Sequence, residues 1–267
     1  MSAIVVIPAR YDSTRFPGKP LALLKGIPVI QHVYQNSLNS RLASDVIVAT
    51  DSETIFEKVI SFGGKSVMTS GSHMSGTDRI AEVAGSLNYD IIVNVQGDEP
   101  LIKPEMIDDV IALLDDSRAS LGTLAKRITD QREIIDPNVV KVVFDKDGFA
   151  FYFSRAPIPF DRDGWNIQNT LSLTLPPRGG GQGWGGIPKL DTPNWYKHVG
   201  IYSYRRDVLI KLSELPPARL ELIEKLEQLR ALENDFKIKV KETSIETLGV
   251  DTPEDLERIE ICLNLSL

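Results

Sequence analysis

Cysteine is nearly absent from this chain: Cys262 stands alone, which rules out an internal disulfide. An excess of positive charge is also missing. With 30 basic against 37 acidic residues the net charge is −7, so the chain has no general attraction to nucleic acid or anionic lipid, and a polyanionic ligand needs a local cationic site. No apolar run approaches the length that spans a bilayer. Met1 to Pro8 is short and apolar, without the basic flank and long hydrophobic region of a signal peptide. These absences set the expectation of a cytoplasmic protein with no nucleic-acid or membrane partner. Internal repeats are lacking too. What is present is enough apolar material for a core: 267 residues, 42% hydrophobic and 25% charged, read as one domain over 1–267.

In the first half, short β-branched runs alternate with segments of helical period. Ala3 to Pro8, Asp45 to Thr50, Lys65 to Met68 and Asp90 to Val95 are strand-like, and their continuous apolarity predicts burial on both faces. Helices are predicted near 29–39, 53–62 and 76–87. This order implies βαβ units and a mainly parallel sheet flanked by helices, an α/β fold whose ligands sit at the carboxyl ends of the strands.

The second half is mixed. Ser120 to Arg127, Val139 to Phe144, Phe149 to Ser154 and His198 to Tyr204 read as strands, with Lys146-Asp147-Gly148 as a turn, so an antiparallel extension or β-arm is expected. Over 219–233, Leu220, Ile223, Leu226, Leu229 and Leu232 suggest one amphipathic helix. A final helix starts near Thr252, with Asp251 and Glu254 placed as its cap and capping-box partner. Residues 164–195 hold the glycine-rich run 176–186, too costly in entropy for a regular element and read as a mobile insertion.

The strongest chemical signal follows the first strand. Arg10, Arg15 and Lys19 fall within ten residues, shaped by Pro17 and Gly18. Any one of them alone would be a solvated charge, but three at the carboxyl end of a buried strand make an anion site, because a triphosphate needs several charge-assisted hydrogen bonds to converge. The loop lacks both the dinucleotide fingerprint and the P-loop pattern.

This loop resembles the nucleotide signature of the CMP-Kdo synthetases, the 3-deoxy-manno-octulosonate (Kdo) cytidylyltransferases. Further matching stretches are His73 to Arg79, Asn94 to Pro100, Tyr152 to Pro159, Lys197 to Tyr202, Leu226 to Arg230 and Gly249 to Leu256. The resemblance implies a Rossmann-like nucleotidyltransferase core, a dimerising β-arm and hence a homodimer, CTP and the acidic sugar Kdo as substrates, CMP-Kdo for lipopolysaccharide synthesis as product, and Mg²⁺ as cofactor. The glycine-rich insertion departs from the family pattern.

Residue by residue, the resemblance places Arg10, Arg15, Lys19, Arg79 and Gln96 on the nucleotide, and Asp98 and Asp251 on the metal. It places Gln96, Arg155, His198, Tyr202, Glu224 and Gln228 on the sugar. Arg10, Lys19, Asp98 and Asp251 form the catalytic set. Ordinary roles compete: Asp98 as a turn residue, Asp251 as a helix cap, His198 as a structural histidine, and Glu224 with Gln228, four apart on the assumed helix, as a solvated face. The Asp-x-Asp runs at 145–147 and 161–163 keep a glycosyltransferase as an alternative, though they look like turns. A regulatory nucleotide-binding protein, and cytidylyltransfer to 8-amino-Kdo or sialic acid, are the other competitors.

Overall fold

The computed structural model describes residues 1–12, 16–73, 75–162 and 195–265. Arg15 and the glycine-rich run 176–186 therefore lie outside the described residues. In chain order the first half holds β1 (Ala3–Ala9), β2 (Leu23–Leu24), β3 (Ile27–Pro28), α1 (Val29–Leu38), β4 (Asp45–Thr50), α2 (Glu53–Ser61), β5 (Ser66–Met68), α3 (Gly76–Ser86), β6 (Ile91–Asn94) and α4 (Pro104–Ala112). There follow β7 (Leu121–Arg127), α5 (Gln131–Ile135), β8 (Lys141–Phe144), β9 (Ala150–Ser154), β10 (Tyr196–Arg205), α6 (Arg206–Glu214), α7 (Arg219–Glu224), α8 (Gln228–Glu233), β11 (Ile238–Glu242) and α9 (Pro253–Leu265). None of the described helices is long and apolar enough to cross a membrane.

Nine of the strands form one sheet with the path β11-β7-β10-β6-β1-β4-β5, from which β8 and β9 branch beside β10. Parallel pairs join β6, β1, β4 and β5, while β10 runs antiparallel between β6 and β7. Every residue of β1 is buried, as the unbroken apolar run predicts. Ala3, Val5 and Ile7 pack on the face covered by α1 and α4; Ile4 and Val6 pack on the face covered by α3, α6 and α8. The expected antiparallel extension is the β8–β9 hairpin, whose turn is held by Asp145 Oδ1 accepting from Asp147 N (2.9 Å) and Phe149 N (2.8 Å). That geometry makes Asp145-Lys146-Asp147 a turn.

The single amphipathic helix expected over 219–233 is not formed. It breaks into α7 and α8 at Lys225, which sits in the left-handed region at φ 55° and ψ 47°, and Ile223 is 67% exposed. Strict spacing by three drifts by about 60° per step around a helix of 3.6 residues per turn, so the five residues cannot share one stripe. The break is also satisfied from outside. Arg155 Nε donates to the Glu224 carbonyl at 2.8 Å, and the Glu224 carboxylate accepts from Ser154 Oγ (2.6 Å) and Arg155 N (3.0 Å).

Close packing between β7 and its neighbours turns on Gly122, where a Cβ would stand 2.6 Å from Ser203 Oγ and 2.9 Å from the Val110 carbonyl. Gly122→Ala should therefore lower unfolding stability by about 1–3 kcal/mol. At Gly200 an added Cβ meets nothing within 4 Å, and Gly200→Ala should change little. Denaturant melts of both variants check this, and equal stability of the two would contradict it.

Candidate functional site

A cleft of about 320 Å³ opens where β1 and β6 end side by side, lined by Arg10, Lys19, Arg79, Gln96, Asp98 and Asp251 among others. Gly97 allows the strand ends to close: a Cβ there would lie 2.8 Å from the Pro8 carbonyl. Gly18, at φ 73°, brings the loop after β1 back, its N–H donating to the Tyr11 carbonyl at 2.8 Å and a short turn at Lys19–Leu21 following.

That return puts Lys19 Nζ between two carboxylates. It pairs with Asp98, after β6, and with Asp251 Oδ1 at 3.3 Å, just before α9. Val250 N donates to the Asp98 carbonyl at 2.8 Å, tying the same two segments through the backbone. The N-terminus of α9 is served by Asp255, which accepts from Asp251 N (3.0 Å), Thr252 N (2.9 Å) and Thr252 Oγ1 (3.2 Å). The capping position is thus Thr252, with its partner at Asp255 rather than Glu254, and the Asp251 carboxylate faces Lys19. Glu99 lies beside the pair, and burial followed by the charge of Asp98 pushes its carboxyl up to about 7.

Two carboxylates that already share one cation fit a divalent ion that takes few protein oxygens and completes its shell with phosphate and water. No cluster of three or more His, Cys, Asp or Glu among the described residues makes a dedicated metal cage. Arg79 forms part of the cleft wall. Its buried guanidinium pairs with Asp51 at 2.8 Å and donates to Thr69, and a capping box opens α3, Ser75 and Asp78 each accepting the other's backbone N–H at 3.1 Å.

A second cavity, about 200 Å³, adjoins the first at Gln96, which lines both. His198, Tyr202 and Gln228 line it, with Thr77, Asn94 and Glu227. The His198 ring Nε2 is 3.0 Å from Thr123 Oγ1, whose hydroxyl donates to the Ile201 carbonyl at 2.7 Å. The imidazole must then donate from Nε2, leaving Nδ1 as acceptor. Burial pulls its pKa down to about 3, so the ring is neutral in the ordinary range. The Tyr202 hydroxyl is the one buried side-chain polar atom among the described residues with no hydrogen-bond partner.

Arg155 and Glu224 line neither cavity. Arg155 donates to the carbonyls of Glu224 and of Pro137, the latter at 2.9 Å. The carboxylate that does line the second cavity is Glu227, which accepts from Thr77 Oγ1 at 3.1 Å and whose pKa is raised by burial. The assumption of a continuous helix concealed it, since that helix put Glu224 on the face of Gln228; only the break at Lys225 could have pointed to Glu227.

A sequence model of the cytidylyltransferase family matches residues 4–242. The 3-deoxy-manno-octulosonate cytidylyltransferase of Thermodesulfovibrio yellowstonii is 51% identical over 99% of both chains, and that of Geobacter sulfurreducens 51% identical over 97% of this chain and 98% of its own. A solved structure of a CMP:2-keto-3-deoxy-manno-octonic acid synthetase in complex with CTP superposes with a TM-score of 0.86 at 39% identity, covering all of both chains.

Removing the ammonium should leave two facing carboxylates. Lys19→Met should cost roughly 1–3 kcal/mol without metal, between the values for exposed and buried pairs. Millimolar Mg²⁺ without nucleotide should then raise the melting temperature of the variant more than that of wild type; equal shifts would contradict the bridge. His198 gives a separate expectation. Because its folded pKa lies below the ordinary 6.5, the unfolded chain binds the extra proton, and stability falls as pH drops from about 6.5 toward 3, by roughly 1 kcal/mol per pH unit. His198→Asn should flatten that slope in pH-dependent melts, and an unchanged slope would show that the ring is not buried neutral.

Proposed function

The chain belongs to the cytidylyltransferase family, in its 3-deoxy-manno-octulosonate branch, and from this we infer that it transfers CMP from CTP to Kdo, releasing pyrophosphate and supplying CMP-Kdo for lipopolysaccharide synthesis. The observation that carries the reading is the meeting of the two cavities at Gln96. The larger ends in cationic and paired acidic side chains suited to a triphosphate. The smaller offers the His198 ring, the Tyr202 hydroxyl and the Gln96 and Gln228 amides beside the Glu227 carboxylate and Arg230, groups suited to a polyhydroxy acid.

In this reading the anomeric hydroxyl attacks the α-phosphorus in line and pyrophosphate leaves. Arg10, Arg15 and Lys19 bind the β- and γ-phosphates and offset the charge that builds on the leaving group, while Arg79 supports the cleft wall through Asp51. Asp98 and Asp251 would hold Mg²⁺, which when bound supplies Lewis-acid stabilisation of phosphoryl charge. Gln96 orients both substrates from the junction. On the sugar side Tyr202 Oη donates, His198 Nδ1 accepts, and Gln228 and Glu227 take hydroxyl groups. Neutral His198 adds no charge that would compete for the sugar carboxylate. No covalent nucleophile is needed, because positioning and electrostatics carry most of the barrier lowering in phosphoryl chemistry. A homodimer through the β8–β9 arm completes the proposal, supported by β9 pairing with β8 alone among the sheet strands and by Phe151, 67% exposed on it.

Pyrophosphate release with four nucleoside triphosphates, crossed against Kdo, 8-amino-Kdo and sialic acid, tests the assignment; CTP with Kdo should give the highest kcat/KM, and a preference for another pair would overturn it. Asp98→Asn and Asp251→Asn should each lower kcat by about a hundredfold or more, with the double variant little worse than either, since residues serving one function are non-additive. Fully additive losses would assign them separate roles.

A further inference from the structure

Lys141 is fully buried in β8, and its ammonium is spent entirely on the backbone. Nζ donates to the carbonyls of Asp136 (2.8 Å), Val139 (2.5 Å) and Arg155 (2.7 Å), so all three protons are used. A buried ammonium is costly unless its protons are hydrogen-bonded, as all three are in Lys141. Here three carbonyls from two separated segments turn toward one point, and only a cation with three donors serves them together.

The first segment borders the smaller cavity directly, and the second reaches its wall through Glu224. Val140, between Val139 and Lys141, lines it, and the Val140 carbonyl accepts from His198 N at 2.8 Å. Arg155 leads in the other direction. Its guanidinium holds the Glu224 carbonyl, and Glu224 holds Ser154 Oγ and Arg155 N, at the break that swings Leu226, Glu227 and Gln228 into the cavity wall. Ser154 faces Lys141 across the hairpin register and is itself buried. Lys141 therefore sits where the wall carrying His198 and the wall carrying Glu227 and Gln228 are joined, and it lines neither cavity.

We propose that Lys141 is a positioning residue for the sugar acceptor, clamping the two walls of the smaller cavity at the spacing the acceptor requires. The proposal rests on the cytidylyltransferase reading and adds to it a determinant outside the substrate contacts. Its consequence is selective. The nucleotide cleft is built from β1, β6 and the Lys19 bridge, none of which the clamp touches, so loosening the clamp should affect the sugar and spare CTP.

The test uses the full chain and, as acceptor, whichever of Kdo, 8-amino-Kdo and sialic acid the wild-type enzyme turns over best; a wrong acceptor then overturns the Kdo assignment while the clamp is judged on the true one. Lys141→Met keeps the stem and removes the donors. It should raise the acceptor KM by about tenfold or more, a displaced wall being enough for such losses, while the CTP KM stays within about twofold. Ser154→Ala loosens the same junction more gently and should move the acceptor KM in the same direction. Should Lys141→Met not fold, Ser154→Ala decides by the same readout. An unchanged acceptor KM in a folded variant, or equal rises in both KM values, overturns the proposal.

Discussion

Lys19 holds together two carboxylates that arrive from distant parts of the chain, Asp98 at the end of a central strand and Asp251 at the entrance to the last helix. Each of the three side chains would be an ordinary surface charge if separated. Brought together they form a compact arrangement in which one ammonium occupies the place between two anions, which is the place a divalent ion would take. The electrostatic constraint is real, because two ionised carboxylates facing each other repel unless a cation or a shared proton stands between them. Much of the local architecture serves that requirement. Gly97 lets β1 and β6 close, Gly18 turns Lys19 inward, and the bond from Val250 N to the Asp98 carbonyl brings the C-terminal segment to the rim.

The two ends of the site are built by different means. The proposed phosphate end depends on charge placed at the carboxyl ends of parallel strands, where the fold leaves a crevice in any case. The proposed acceptor end lies against the antiparallel strand β10, where a histidine kept uncharged by burial and a tyrosine hydroxyl with no partner among the described residues stand beside Glu227 and Arg230. Behind its wall, Lys141 and Arg155 donate to backbone carbonyls, and the Glu224 carboxylate accepts from Ser154 Oγ and Arg155 N. A transferase joining a polyanion to a polyhydroxy acid has reason to separate these tasks: strong fields fix the donor, and shape with directed hydrogen bonds selects the acceptor.

The α/β class, the parallel core and the cationic loop were legible in the sequence because each leaves a local signature, in the unbroken β-branched runs of β1, β4 and β6 and in the crowding of Arg10, Arg15 and Lys19. The bridge was half legible. Asp98 and Asp251 could be named together only through family resemblance, since nothing local distinguishes Asp251 from a helix cap, and the actual cap at Thr252 differs by one residue. The acceptor wall was least legible. A run of leucines at a spacing of three imitates a helix, and the left-handed Lys225 that breaks it depends on Arg155, nearly 70 residues earlier. That long-range contact also leaves Glu227, and not Glu224, lining the cavity, which local periodicity does not show.

The Lys19-bridged pair of aspartates is the proposed metal and triphosphate end of the site. Crystals grown with CTP and Mn²⁺, with the ion located by its anomalous scattering, address it directly. The ion should lie between the carboxylates of Asp98 and Asp251, beside the phosphates, with Lys19 Nζ withdrawn from between them. An ion bound elsewhere in the cleft, or one present while Lys19 still bridges both carboxylates, would contradict it.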